Sequence, residues 1–389
     1  MNAIGSWASL IAIWGYSTYR FHAGAGMVAV LVVAWTGPSA LLGTLAGTPI
    51  DRFGPRRVLV TAYLLASVIA GSMAAADTIG QLVGLTLLYG IVRSFTGPAA
   101  DALPPRIVAP EDLLAANALF GVTEQLAIVL GPLAATTAIA LSGVRAAFLF
   151  DALTYLVGAS VVVGLRLAPH VPASPDDGGV WAGVTAIWAE THLRIVMALA
   201  AATFTLWGGY AVVEPLYVRY VIHRPTSQLG FFQVAFGVCL VGMSLVVPRL
   251  GGRVVGVRPL SLCLIASAIG AVTYVATTTV AVAYIGVMWW GASGAFFYAP
   301  TVTILQRGTS PAIHGRVLGG FRALNGAVQL VAIPVIGVIA ANWGVPAAGA
   351  VMGGAAIVTG LCGVVSSRAG TPRRRTVRRP ATRQFGEAA

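Results

Sequence analysis

Gly47-Thr48-Pro49-Ile50-Asp51-Arg52-Phe53-Gly54-Pro55-Arg56-Arg57 is a charged, turn-forming stretch set between two long apolar runs, 27–46 and 57–76. Each run is about 20 residues, enough for a helix to cross the hydrocarbon core of a bilayer, so the stretch between them is where the chain reverses. Gly47 and Gly54 let two helix ends approach and turn. Asp51 puts a negative charge near helix termini, where it can act as a latch. An ordinary basic loop would account for the arginines but not for Asp51 between its glycines.

The same alternation recurs along nearly the whole chain. With 57% hydrophobic residues, 9% charged residues and a mean hydropathy of +0.85, the protein is far more apolar than a soluble domain of 389 residues. Twelve apolar runs are long enough to span, at 3–21, 27–46, 57–76, 80–100, 113–140, 145–167, 193–216, 229–249, 259–279, 281–303, 317–341 and 345–367. The predicted fold class is an all-α integral membrane protein of twelve transmembrane helices. The first run starts close to Met1 with no basic leader and no small-residue cleavage site, so it is expected to remain as a span and not to be removed as a signal peptide.

All 24 basic residues are arginine. Without lysine, neither a phosphate-binding loop of the usual kind nor a Schiff-base cofactor can form, which excludes ATP hydrolysis by that loop and pyridoxal chemistry. Cys239, Cys263 and Cys362 lie within apolar runs without metal-ligand spacing, so no disulfide framework or zinc site is expected. The net charge of +12 does not describe a nucleic-acid-binding face. With the amino terminus inside, 18 arginines fall on inner loops and the tail, 4 on outer loops (Arg20, Arg145, Arg219, Arg224) and 2 within spans (Arg93, Arg322). That bias predicts a multi-pass protein of a bacterial cytoplasmic membrane with both termini cytoplasmic. The bilayer and a small-molecule substrate are the expected partners, with no nucleic acid, and the chain is expected to act as a monomer.

An internal repeat at an offset of roughly 200 residues divides the chain into two six-helix halves. Tyr89-Gly90 with Phe95 and Pro98 parallels Trp290-Gly291 with Phe296 and Pro300, and Arg106 with Pro110 parallels Arg307 with Pro311. Ala118-Leu119-x-Gly121 parallels Ala323-Leu324-x-Gly326. The charged stretch has a decayed copy at Gly251–Arg258, in which Arg253 stands where Asp51 stands. The expected organisation is an amino-terminal half at 1–168, a cytoplasmic linker with an amphipathic helix at 169–192, a carboxy-terminal half at 193–367 and a basic tail at 368–389. Trp181, Val184 and Trp188 at helical spacing carry the reading of the linker.

Ionisable groups inside a bilayer are costly, so each one needs a reason. Arg93 lies mid-span in the fourth run, while its repeat partner near Gly294 is uncharged. By itself it reads as a structural ion pair buried between helices. Glu124 is expected roughly mid-membrane in the fifth run, with Gln329 at the equivalent position, and there it can bind and release a proton or act as a packing residue. Glu214, just before Pro215, reads as a gate or cation contact, or as a surface pair with Arg219. Asp151 has Arg145 nearby and invites the same two readings. Aromatic residues at heptad spacing (Trp7, Trp14, Phe21; Trp289, Phe296; Trp290, Phe297) and the stripe Phe204, Trp207, Tyr210 line either a cavity or a lipid face.

The stretch Gly47, Asp51, Arg52, Gly54, Arg56, Arg57 resembles the loop signature of the major facilitator superfamily, with Pro55 at a usually basic position. Arg93 to Gly97 is similar to that family's pattern in the fourth helix, which implies for Arg93 a part in proton transfer or in holding an acidic partner, and Gly131-Pro132, preceded by Ala127 and followed by Ala135, looks like the Gly-Pro motif of its antiporters. The resemblance implies a secondary transporter and not an enzyme. It points to proton-coupled efflux of a small, largely apolar molecule, powered by the proton gradient with no cofactor and no metal. It also implies a latch of Asp51, Arg52, Arg56 and Asp101, in which Arg56 pairs with Asp101 at the inner end of the fourth helix. The alternatives are a proton-coupled importer of the same fold and a membrane sensor that has lost transport.

Overall fold

The computed structural model describes residues 2–42, 47–109, 112–165, 185, 187, 188, 190–309 and 314–369. Twelve helices pass back and forth. They are α1 (Asn2–Gly15), α2 (Ala25–Leu42), α3 (Pro55–Ala74), α4 (Ile79–Asp101), α5 (Leu113–Ser142), α6 (Val144–Gly164), α7 (Thr191–Leu216), α8 (Ser227–Ser244), α9 (Val257–Val275), α10 (Val280–Gly294), α11 (His314–Trp343) and α12 (Val345–Ala369). Eleven are long and apolar enough to cross a membrane, α10 only together with the helix Tyr298–Arg307 that continues it. The remaining one, α1, reaches that length through a π-helical turn, Tyr16–Arg20, that continues it. The face where α1 begins and α12 ends is here the terminal face, and the opposite one the far face.

Helix ends follow local chemistry. Within the charged stretch, a short helix Gly47–Phe53 ends at Gly54, whose φ of 81° is open to glycine at little cost, and Pro55 then occupies the first turn of α3, where its missing N–H is not needed. Pro55 therefore replaces a basic residue with a helix starter. At the far face, Thr78 and Gln81 form a capping box on α4, with Gln81 N–H donating to Thr78 Oγ1 at 3.2 Å and Thr78 N–H to Gln81 Oε1 at 3.2 Å. The tenth span is not one continuous helix. It breaks at Ala295–Phe297, ahead of Pro300, and resumes as Tyr298–Arg307, because proline removes a ladder donor and crowds the preceding turn.

The two halves repeat each other in their main helix contacts. In the amino-terminal half α3 packs on α4 and α6, α1 on α5 and α6, and α2 on α4. In the other half α9 packs on α10 and α12, α7 on α11 and α12, and α8 on α10. Equivalent glycines permit equivalent approaches: a Cβ at Gly90 of α4 would collide with the Ala34 carbonyl of α2, and one at Gly291 of α10 with the Phe236 carbonyl of α8. The π turn recurs as well, at Tyr217–Val221 after α7, and His22 and His223 close the two turns at φ values of 50° and 52°. Between the halves run two seams, α2 against α11 and α5 against α8. Small residues bring these helices close, Ala40 to Gly326 and Ala29 to Gly337 in one seam, Gly230 to Thr136 and Gly237 to Ile128 in the other.

Most of the expected linker lies outside the described residues, Trp181 and Val184 included. Ile187 is buried in the core around α7, whereas Trp188 is exposed. The basic tail beyond Ala369 is likewise outside the described residues.

Candidate functional site: a cavity between the halves

At the far face the halves touch through the ends of α1 and α7. The Tyr19 hydroxyl donates to the Arg224 carbonyl, the Arg219 guanidinium lies 4.8 Å from the centre of the Tyr19 ring, and Gly15 packs on Thr226. A cavity of about 380 Å³ lies between the halves nearer the terminal face. Its walls are Trp35, Thr36, Ser39 and Ala40 of α2 and Arg93 of α4 from one half. The other half contributes Phe204 of α7, Tyr298 after the break in α10, and Phe321, Arg322, Asn325, Gly326 and Gln329 of α11. Nearly all of these residues belong to the terminal-face portions of their helices, so the protein is sealed at the far face and hollow on the other side. A larger shallow concavity of about 620 Å³ between the far ends of α3 and α4 has no ionisable side chain in its walls, and Leu87 and Leu88 there are exposed.

Behind the cavity wall lies a buried polar network. Arg93 is half-buried, with its guanidinium carbon 4.3 Å from the Trp35 ring centre, and Trp35 stacks on Tyr89 at 5.1 Å. The Tyr89 hydroxyl donates to Asp151 Oδ2 at 2.6 Å and Ser9 Oγ donates to the same oxygen at 2.6 Å. Tyr155 and Ser6 extend the network, with the Tyr155 hydroxyl 3.1 Å from those of Tyr89 and Ser6. Asp151 is fully buried, and four helices (α1, α4, α6 and, through Trp35, α2) meet around it. A second buried carboxylate, Glu214 in α7, accepts from Gln233 Nε2 at 2.5 Å and from the Tyr274 hydroxyl at 2.8 Å, just beneath the far-face seal.

Several sequence-based expectations change. Glu214 does not pair with Arg219, which stacks on Tyr19, and Asp151 does not pair with Arg145, whose Nε donates to the Tyr16 hydroxyl at 3.0 Å. In both cases the carboxylate turns into the bundle while the arginine stays at the rim. Arg56 donates to the Val163 carbonyl of α6 and does not meet Asp101, which is exposed at the end of α4. Arg52 is exposed over Phe53, and the side chain of Asp51 lies outside the described residues. Glu124 is exposed on α5. It sits seven residues before Gly131, which packs on Ile4 and Trp7, so it lies about 10 Å closer to the terminal face than that contact, near the level where α1 starts and not mid-membrane. Gly131 needs to be small, since a Cβ there would collide with Trp7; this places the Gly131-Pro132 motif in the packing of α5 on α1.

Of the aromatic stripes, Phe204 lines the cavity and packs edge-on against Trp207, Phe297 and Phe321. Trp289 is exposed on the outer surface. Asn325, which no sequence pattern singled out, is 3% exposed in the cavity wall with both polar side-chain atoms unpartnered. Its signal was available as the residue three after Arg322 on the same helix face.

The sequence pattern of the Major Facilitator Superfamily matches residues 1–319. The chain belongs to that family. Membership of that family agrees with the eleven helices long and apolar enough to cross a membrane, and makes the chain a multi-pass membrane protein of the major facilitator fold. The multidrug efflux pump Tap of Mycobacterium tuberculosis (strain H37Rv) and that of Mycobacterium bovis (strain BCG) are each 26% identical to it over 279 residues. Those matches take in 66% of this chain and 64% of each pump, so it matches less than two thirds of their length. Among solved structures, the nucleoside transporter NupG superposes with a TM-score of 0.74 at 13% identity, over 94% of this chain and 96% of that one. The POT family transporter PepTSo superposes with a TM-score of 0.73 at 11% identity, over 95% and 96%. At such identities these likenesses speak to the major facilitator fold alone.

Proposed function

We propose that this major facilitator protein is a proton-coupled exporter of a small, largely apolar molecule, working as a monomer in a bacterial cytoplasmic membrane with both termini in the cytoplasm. The observation that carries the reading is the cavity between the halves, whose wall residue Arg93 stands one helical turn from Tyr89 and so from the buried carboxyl of Asp151. Cargo in the cavity and a proton on Asp151 would then be separated only by Arg93, Trp35 and Tyr89. With the far face sealed and the terminal face hollow, the conformation is the cytoplasm-open one of an alternating-access cycle. The efflux relatives favour export, and the proton gradient is the energy source, with no cofactor.

In this reading Asp151 holds the coupling proton and Glu124 exchanges protons with the solution at the terminal face. Glu214 braces the far-face gate. Asp51, Arg52, Arg56 and Asp101, with the hinge glycines Gly47 and Gly54, act as the latch when the cavity opens outward, and Gly131-Pro132 keeps α5 pressed on α1.

The test is transport in reconstituted vesicles with and without an imposed pH gradient. Asp151→Asn keeps the side-chain shape but cannot titrate, so it should exchange substrate across the membrane without concentrating it. Gradient-driven accumulation surviving in Asp151→Asn would remove Asp151 from the coupling path; the same outcome in Glu124→Gln would remove Glu124. A pH gradient that drives substrate inward in cells would establish the importer instead.

A further inference from the structure

The cavity between the halves is cationic. Arg93 reaches it from the amino-terminal half and Arg322 from the carboxy-terminal half, and among the described residues no carboxylate lines it. Among the described residues neither guanidinium forms an ion pair. Arg93 is half-buried and has one face on Trp35, which leaves its N–H edge without a carboxylate. The nearby acid, Asp151, is already engaged by Ser9 and Tyr89 behind the wall. A charge held at membrane depth is costly unless something pairs with it. Asn325 adds an independent sign: it lies one turn from Arg322 on α11, is 97% buried, and neither its amide nitrogen nor its oxygen has a partner. Native proteins rarely leave such atoms unpaired. A donor amide and two guanidinium groups lining one cavity are what an oxyanion needs, and Phe204 and Phe321 in the same walls supply a surface for an apolar body.

We infer that the cavity binds an organic anion, a carboxylate or similar oxyanion on an aromatic-sized apolar body, with the oxyanion between Arg93 and Arg322 and Asn325 donating to it. The inference rests on the reading that this cavity holds the cargo, and it narrows that cargo from apolar molecules in general to apolar acids. Because the two arginines belong to different halves, the bound anion would bridge them, which an uncharged or cationic drug would not do.

The test uses the full chain in lipid nanodiscs, with empty nanodiscs as the partition control, and three probes of one shape: 2-naphthoate, 2-naphthamide and 2-naphthylmethylammonium. Equilibrium dialysis without any gradient should show naphthoate bound about tenfold or more tighter than the other two, the ratio expected for a charge-assisted hydrogen-bonded pair. Arg93→Gln and Arg322→Gln should each weaken naphthoate about tenfold and leave the amide unchanged. Arg322→Lys should retain most of the preference. If Arg93→Gln does not fold, Arg322→Gln decides, since that residue is exposed at the cavity wall. Equal or tighter binding of the cation or the amide, naphthoate binding indifferent to both arginines, or no naphthoate binding by the native chain would each overturn the inference. The outcome is separable from that of the export reading: naphthoate that binds but is not moved by a pH gradient sinks export and keeps the anion site, and gradient-driven movement of a neutral cargo with no naphthoate binding does the reverse.

Discussion

Tyr89 and Ser9, from two different helices, donate to the same oxygen of Asp151, each at 2.6 Å. That arrangement holds α1, α4 and α6 together around one fully buried acid. Tyr89→Phe removes one donor without changing the ring that stacks on Trp35. The expected cost is about 1–3 kcal/mol of stability, the range for removing a partner from a buried polar group, seen as a lower unfolding temperature in detergent. An unchanged unfolding temperature would mean that Ser9 alone satisfies the carboxyl.

The glycine contacts give a sharper test of packing. At Gly90 a Cβ would strike the Ala34 carbonyl, a backbone atom that cannot rotate away, whereas at Gly97 on the same helix nothing lies within 4 Å. Gly90→Ala should therefore separate α4 from α2, lower stability by about 1–3 kcal/mol and reduce the amount of folded protein. Gly97→Ala should be neutral or gain up to about 1 kcal/mol from helix propensity. Equal effects of the two substitutions on thermal stability would sink this account of the α2–α4 contact.

The fold was legible in the sequence because its causes are local. Runs of apolar residues about as long as a bilayer is thick, a charged turn with two glycines, and arginine placement need no knowledge of neighbours. The carboxylates were less legible because their partners come from other helices. Arg145 is six residues before Asp151 and Arg219 five after Glu214. The first spacing is about 240° around an α-helix, and Arg219 lies in the π turn that follows α7, so in both cases proximity in sequence misled. The available clue was another repeat, Tyr16-x-x-Tyr19-x-x-His22 against Tyr217-x-x-Tyr220-x-x-His223, which marks the two π turns at the far face. Asp101 and Arg56 resisted for a related reason: the partner Arg56 has here, the Val163 carbonyl, belongs to α6, and no spacing in the sequence announces it.

The far-face seal is light and should be easy to shift. Tyr19→Phe together with Arg219→Ala removes a hydrogen bond and a cation–π contact between the halves. Together these amount to about 1–2 kcal/mol, a roughly five- to thirty-fold change in the ratio of the two conformations. In a background with Cys239, Cys263 and Cys362 replaced, a cysteine at Ser39 in the cavity wall should react faster with an impermeant thiol reagent added from the far side. Unchanged reactivity would show that the α2–α11 and α5–α8 seams, and not the α1–α7 contact, keep that face shut.

Orientation is the remaining link between this geometry and export, and it follows from where the arginines are anchored. The far face carries Arg20, Arg145, Arg219 and Arg224. Three of these side chains are engaged: Arg20 pairs with Asp77 at 2.8 Å, Arg145 donates to Tyr16, and Arg219 stacks on Tyr19. The larger number, 18 in the remaining loops and the tail by the sequence pattern, is the ground for the proposed orientation, because positive charge near span ends is retained on the cytoplasmic side during insertion. Reporter fusions truncated after Asp177 and at the carboxyl terminus should fluoresce as cytoplasmic GFP, and one after Thr226 should be active as periplasmic alkaline phosphatase. An active phosphatase at the carboxyl terminus would invert the protein, turn its hollow side outward, and make the conformation described here the outward-open one.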